Sequence, residues 1–169
     1  MNNPFREFSQ ESILITKLLD NFIASDAWED HSGWNLMVVD RKIWSNEPLL
    51  TIIDKHFKIA HCVILKMGVN INYNWHTDWT RGSAINMLLR DSRSHCFFGF
   101  EQDSYNDNFV ELNYKPKKFY LFNTQHRHSV LNFDAPRYMF SVEFVKDKDS
   151  LTYNEVFDWC NKNGMFINE

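Results

Sequence analysis

Between residues 59 and 145 the chain breaks into eight short segments, each rich in aromatic or β-branched residues and bounded by Gly, Pro, Asn or Asp. They cover residues 59–67, 70–74, 83–89, 95–100, 108–114, 118–123, 127–133 and 137–145. Strands of an antiparallel domain have this composition and these boundaries. Eight such runs in so short a stretch point to a sandwich or barrel and away from βαβ crossovers. The predicted class is mainly β with flanking helices.

The rest of the chain reads as bracing. Leu14, Ile15, Leu18, Leu19, Phe22 and Ile23 recur at helical spacing, and Ser9 is a plausible N-cap, which predicts a helix over residues 9–24. A loop with Trp28, His31 and Gly33 leads to a strand over 35–39. A second helix starts near Ser45 with Pro48 in its first turn, burying Leu49, Leu50, Ile53 and Phe57. A last helix spans 152–162, with Gly164 placed to end it. At 169 residues without linker or repeat, one domain is expected: a helical part over about 1–58, a β core over about 59–146 and a helix over about 151–163.

Other classes are disfavoured. The 27 Phe, Tyr and Trp residues against 9 Gly and Pro argue against a disordered chain. A formal charge of −4 argues against a bulk phosphate-backbone binder, so nucleic acid is not the expected partner. Cys62, Cys96 and Cys160 are odd in number and form no CxxC pair, as free buried thiols in a reducing, cytoplasmic setting would be. The start lacks an apolar signal core, and no stretch approaches the ~20 apolar residues that span a bilayer.

Chemistry concentrates in two blocks. In Trp75-His76-Thr77-Asp78-Trp79, residues two apart on an extended segment share a face, so His76 and Asp78 can aim a nitrogen and an oxygen at one point. A divalent metal suits that mixed donor pair, and a His–Asp hydrogen bond is the plainer alternative. The second block, Asn123-Thr124-Gln125-His126-Arg127-His128-Ser129-Val130-Leu131-Asn132, offers a third imidazole. Two histidines and one carboxylate on one metal face leave three cis positions open, the arrangement of non-haem Fe(II) sites that use O₂. His126 and His128 share a face of a regular strand, so spacing does not choose between them. Arg137, nine residues past His128 across a turn, can enter the same cavity, where its planar fork matches a carboxylate. Metal plus a carboxylate-bearing small molecule is the implied content.

With these residues the chain resembles the 2-oxoglutarate- and Fe(II)-dependent oxygenases, whose pattern is His-x-Asp, a distal His, and Arg about ten residues on. The blocks NWHTDWTRGSAINMLL and LFNTQHRHSVLNFDAPRYMFSVEF carry the likeness, over roughly half the chain. The resemblance implies a double-stranded β-helix, the jelly-roll or cupin-like barrel. It also implies Fe(II) held by His76, Asp78 and His128, and 2-oxoglutarate anchored by Arg137. His128 is favoured over His126 because Ser-Val-x-Asn follows it. The run is most like the aspartyl/asparaginyl- and prolyl-hydroxylase branches. A dioxygenase hydroxylating an unactivated C–H bond is therefore expected, with O₂ as oxidant and a protein, peptide or amino acid as substrate.

There are departures. Met139 stands where some members have Ser, Lys66 lies near where a prolyl-hydroxylase Tyr would be, and Glu143 replaces the second Arg of the repair dealkylases. Asp78 favours hydroxylation over halogenation. Asn86 is a candidate to bond cosubstrate or substrate, and Arg81, Trp75 and Trp79 are candidates to touch substrate, with strand polarity, turn capping and core packing as their structural alternatives. Loops 28–33, 79–82 and 101–108 are expected at the barrel mouth. The rival readings are a cupin-type metalloenzyme that does not use 2-oxoglutarate, for which Arg137 has no purpose, and a non-catalytic jelly-roll binding module.

Overall fold

A computed structural model describes residues 3–31, 33–90, 93–100 and 108–167. Its strands are β1 (Phe5–Glu11), β2 (Glu29–His31), β3 (Trp34–Val39), β4 (Ile59–Met67), β5 (Ile71–His76), β6 (Ala84–Leu88), β7 (Ser94–Phe100), β8 (Asn108–Glu111), β9 (Lys118–Phe122), β10 (His128–Asn132) and β11 (Arg137–Phe144). The helices are α1 (Leu19–Ile23), α2 (Arg41–Trp44), α3 (Pro48–Phe57) and α4 (Tyr153–Lys162). A seven-stranded sheet runs β1-β9-β6-β11-β4-β3-β2, and a four-stranded sheet runs β5-β10-β7-β8. Neighbours are antiparallel throughout.

Both faces of the larger sheet are covered. Along β11, Tyr138, Phe140, Val142 and Phe144 join the core that includes Leu49, Leu50 and Ile53 of α3 and Val156 and Cys160 of α4. The alternate residues Arg137, Met139 and Glu143 line a cavity between the sheets. One strand thus carries the core on one face and polar chemistry on the other, as its period of two allows. Met67, Cys96, Phe98, Phe122 and Val130 pack between the sheets beside that cavity.

The helices follow local signals. Pro48 supplies its fixed φ at the start of α3. Thr152 and Glu155 form a reciprocal capping box on α4, and Gly164 adopts φ +63° just beyond its end.

The eight predicted strands are all present with small shifts at their ends. The helix predicted over 9–24 is not. Residues Phe5–Glu11 are strand β1 on the edge of the larger sheet, and only a 3-10 turn, Ile15–Leu18, and the short α1 follow. Ser9 caps nothing; its N–H and its hydroxyl both donate to the Met165 carbonyl. Partners distant in sequence outweighed local periodicity there. The apolar spacing still marks the buried side, since Ile15, Leu19 and Phe22 join the core. Strand β2 was also not predicted. No helix among the described residues is long and apolar enough to cross a membrane.

Candidate metal centre

β5 and β10 are neighbours, and their register sets His76 directly opposite His128, with ring centroids 4.2 Å apart. Asp78 lies just past β5, with Oδ1 3.7 Å from His76 Nε2 and 3.8 Å from His128 Nε2. One donor atom from each residue falls within 4.8 Å of the other two, a group found once among the described residues.

Backbone carbonyls orient both rings. His76 Nδ1 lies 2.7 Å from the Asn74 oxygen and His128 Nδ1 lies 2.9 Å from the His126 oxygen. A carbonyl only accepts, so Nδ1 carries a proton in each ring and Nε2 faces Asp78. Burial pushes the His128 imidazole down to about 4, against the opposing pull of the His126 carbonyl. The ring is therefore neutral at neutral pH, as a ligand must be.

Arg81 governs how Asp78 presents itself. Its Nε and Nη2 both donate to Asp78 Oδ2, at 2.8 and 2.6 Å, which leaves Oδ1 for the histidine side. Arg81 Nη1 donates to Ser141 Oγ at 3.1 Å, and Ser141 Oγ donates to Asn86 Oδ1 at 2.8 Å. Arg81 and Asn86, both singled out in the sequence, thus lie on one line of hydrogen bonds that ends on the carboxylate. The following turn clamps this loop. Gln125 Nε2 donates to the carbonyls of Asp78 and Arg81, at 2.8 and 2.7 Å, and the Asp78 N–H donates to the Thr124 carbonyl at 2.9 Å. Arg81→Met is expected to lower the affinity of this donor group for a divalent metal ~10–100-fold, the usual effect of losing a group that orients a ligand. Anaerobic Fe(II) titration, with a thermal melt to confirm folding, measures it.

The two histidines that spacing left equivalent are separated by the backbone. β10 begins at His128, whereas His126 belongs to a turn in which its N–H donates to the Asn123 carbonyl. The His126 ring packs on Phe100, 4.6 Å between centroids, over a separate groove.

Arg137 is the first residue of β11 and is 1% exposed. Its guanidinium lies over the Tyr114 ring at 5.4 Å, and its Nε and Nη1 are buried with no hydrogen-bond partner among the described residues. His76, Asp78, His128, Arg137 and Asn86 line the same cavity, about 310 Å³ in volume.

The tryptophans sit differently. Trp79 is 92% exposed at the cavity mouth, so it packs in no core. Trp75 faces away, over the groove that holds His126, where Gly99 leaves space for its ring and the Arg127 guanidinium lies 5.4 Å above it. With His76 turned inward, simple alternation turns the neighbouring Trp75 outward. A register shift places Tyr73: His76 opposes His128 but Tyr73 opposes Val130, so β5 spends an extra residue between them, and that bulge brings Tyr73 to the cavity with His76. Of the expected mouth loops, Trp28 packs against Tyr138 in the helix-side core, and residues 32 and 101–107 lie outside the described residues.

Sequence reasoning missed several cavity residues. Tyr114, beside Arg137, looked like any strand aromatic. His61 and Glu143 showed no shared spacing because they meet across β4 and β11. Ser141, outside the cavity lining, carried no motif yet bonds both Arg81 and Asn86. Lys66 holds its ammonium over the Trp28 ring at 5.6 Å and does not line the cavity. The three thiols are free and buried. Burial pushes Cys96, which lines the cavity, up to about 12, so it remains an inert thiol.

No protein-family model matches the sequence, and no curated protein sequence does. Solved structures do match the fold. A prolyl hydroxylase from Trichoplax adhaerens, in complex with a hypoxia-inducible-factor oxygen-degradation-domain peptide, superposes with TM-score 0.63 at 13% identity, over 85% of this chain and 84% of that one. A Pseudomonas putida prolyl-4-hydroxylase gives 0.60 at 12% identity, over 86% and 94%. An oxidoreductase of the 2OG-Fe(II) oxygenase family from Burkholderia pseudomallei gives 0.53 at 14% identity, over 82% and 80%. The chain has the fold of the 2-oxoglutarate- and Fe(II)-dependent oxygenases, a jelly roll of two antiparallel sheets.

Proposed function

We propose that this protein is a 2-oxoglutarate- and Fe(II)-dependent dioxygenase that hydroxylates an unactivated C–H bond of an amino acid or of a peptide or protein side chain. One observation carries the reading: a His-Asp-His donor group shares a cavity with a buried arginine whose Nε and Nη1 have no partner among the described residues. A buried cation is costly unless it is paired, so the cavity is complementary to a ligand with a carboxylate at that depth. Two neutral imidazoles and a carboxylate oxygen are the donor set for Fe(II).

In this reading His76 Nε2, Asp78 Oδ1 and His128 Nε2 hold the metal, and Arg81 keeps Asp78 to a single ligating oxygen. Arg137 pairs with the 5-carboxylate of 2-oxoglutarate, and the Tyr114 ring beneath the guanidinium fixes its plane. When bound, Fe(II) with 2-oxoglutarate and O₂ supplies the oxidising power: one oxygen atom enters the substrate as hydroxyl, and 2-oxoglutarate leaves as succinate and CO₂. Trp34, Phe122 and Val130 make the inner wall apolar and help to exclude water. Burial keeps the Cys96 thiol and the Tyr114 hydroxyl protonated, so neither acts as nucleophile or base.

Fe(II) plus 2-oxoglutarate added anaerobically is expected to give a weak visible charge-transfer band, and admitting air should yield succinate. Absence of both would overturn the proposal. His128→Ala is expected to abolish the band, whereas His126→Ala retains it; the reverse result would reassign the distal ligand.

A further inference from the structure

The inward face of β11 runs from Arg137 past Ser141 to Glu143. Ser141 bonds Asn86 and Arg81, the arginine that holds Asp78 of the donor group. Glu143 is the next residue on the same face, ~7 Å further along the strand and on the side away from Arg137. It opposes His61 of β4, and their Oε2 and Nε2 atoms are 3.1 Å apart. Both side chains line the cavity and stay open to solvent, 36% and 44% exposed. Leu36, Val63 and Trp79 line the cavity with them.

The charge balance of this mouth is unusual. The cavity holds two arginines, but Arg81 is bonded to Asp78 and Arg137 lies at the far end of β11's inward face. The ion-pair partner of Glu143 among the described residues is a histidine alone. A carboxylate without a permanent cation therefore stands beside an imidazole, in the same cavity as the His-Asp-His group and with apolar walls nearby.

We infer that Glu143 and His61 read the head group of the substrate: Glu143 takes an α-ammonium, and His61 donates to the adjacent carboxylate or carbonyl oxygen. The side chain then points inward along Leu36 and Val63, into the cavity that the His-Asp-His group also lines. The substrate class is an aliphatic α-amino acid, free or at the N-terminus of a peptide. An internal peptide residue, whose nitrogen is acylated and uncharged, is disfavoured. This inference rests on the oxygenase reading and names the substrate class of that site.

The test measures substrate-stimulated succinate formation by the intact protein loaded with Fe(II) and 2-oxoglutarate. The panel is the standard amino acids free, the same set as Nα-acetyl amides, and tripeptides with free N-termini. At least one free-amine member is expected to stimulate turnover about tenfold or more over its acetylated counterpart, because a site built to bond a group rejects the analogue lacking it. Stimulation by the tripeptides as well as the free acids identifies an N-terminal substrate; stimulation by free acids alone identifies an amino acid. E143Q is expected to bring the ratio of free to acetylated forms to within about threefold. Equal stimulation by acetylated forms, no stimulation by any free-amine compound, or discrimination kept in E143Q would each overturn the inference. The comparison on the unaltered protein stands whatever the variant does. A missing charge-transfer band without any panel member would instead mark failure of the oxygenase reading.

Discussion

Replacing Arg137 by Met is expected to weaken 2-oxoglutarate binding by about a hundred- to a few-thousand-fold, while Fe(II) binding changes little. The magnitude follows from burial. Removing one partner of a buried ion pair costs ~3–5 kcal/mol, and each ~1.4 kcal/mol is a factor of ten. Arg137 does not touch the donor group, so the two affinities should separate; equal losses would mean misfolding. A second readout distinguishes this role from a structural one. In the ligand-free protein Nε and Nη1 are buried without partners among the described residues, so the guanidinium is a cost. R137M without ligand should melt no lower than the unaltered protein. It should also lose the rise in melting temperature that 2-oxoglutarate with Fe(II) otherwise gives. A lower ligand-free melting temperature with undiminished 2-oxoglutarate affinity would contradict the assignment.

Replacing Glu47 by Ala is expected to be strongly destabilising, although the residue lies away from the cavity. Glu47 is fully buried at the entry to α3. Its carboxylate accepts from Ser12 Oγ at 2.7 Å and from the N–H groups of Ile13, Leu14 and Ile15 at 3.0, 2.8 and 2.8 Å. Those N–H groups open the 3-10 turn that leads into α1, and no side chain at its own N-cap serves them. A carboxylate more than 30 residues away thus caps the turn. Bonds to a charged acceptor are worth ~1.5–3 kcal/mol each, and buried donors left unmade cost ~1–3 kcal/mol each. Relaxation and entering water recover part of that sum, so a net loss of ~3 kcal/mol is expected. For a chain of this size that is ~6–12 °C in melting temperature. Thermal and denaturant unfolding measure it, and E47Q, which keeps an acceptor oxygen, should fall between the two. A change under ~1 kcal/mol would show that the carboxylate does not hold this segment.

These two residues mark different degrees of legibility. Arg137 was visible in the sequence because its distance from His128 is a short-range matter, set by two strands and one turn. The His-x-Asp pair was legible for the same reason. Glu47 carried no signal, because what it bonds lies in a segment that becomes its neighbour only when the chain is folded. Residues 9–11 read as the start of a helix only because apolar residues at helical spacing follow from Leu14; the backbone of β1 finds β9 on one side and Met165 on the other. Tyr73 shows a third limit. Simple alternation does not reveal a bulge, and one extra residue in β5 brought its ring to the same side as His76.

By itself the sequence determined the strand inventory from residue 59 onward, the class of fold, and which side chains bear metal-type donors. Those properties follow from local alternation and from residue chemistry, which operate over a few neighbours. Tertiary structure decided which donors meet. The β5–β10 register set His128, not His126, across from His76, Arg81 turned one Asp78 oxygen toward them, and β4 beside β11 joined Glu143 to His61 at the mouth. Contacts of that kind depend on strand order and bulges, which are fixed by packing two sheets and four helices around a shared core, not by any short run of residues.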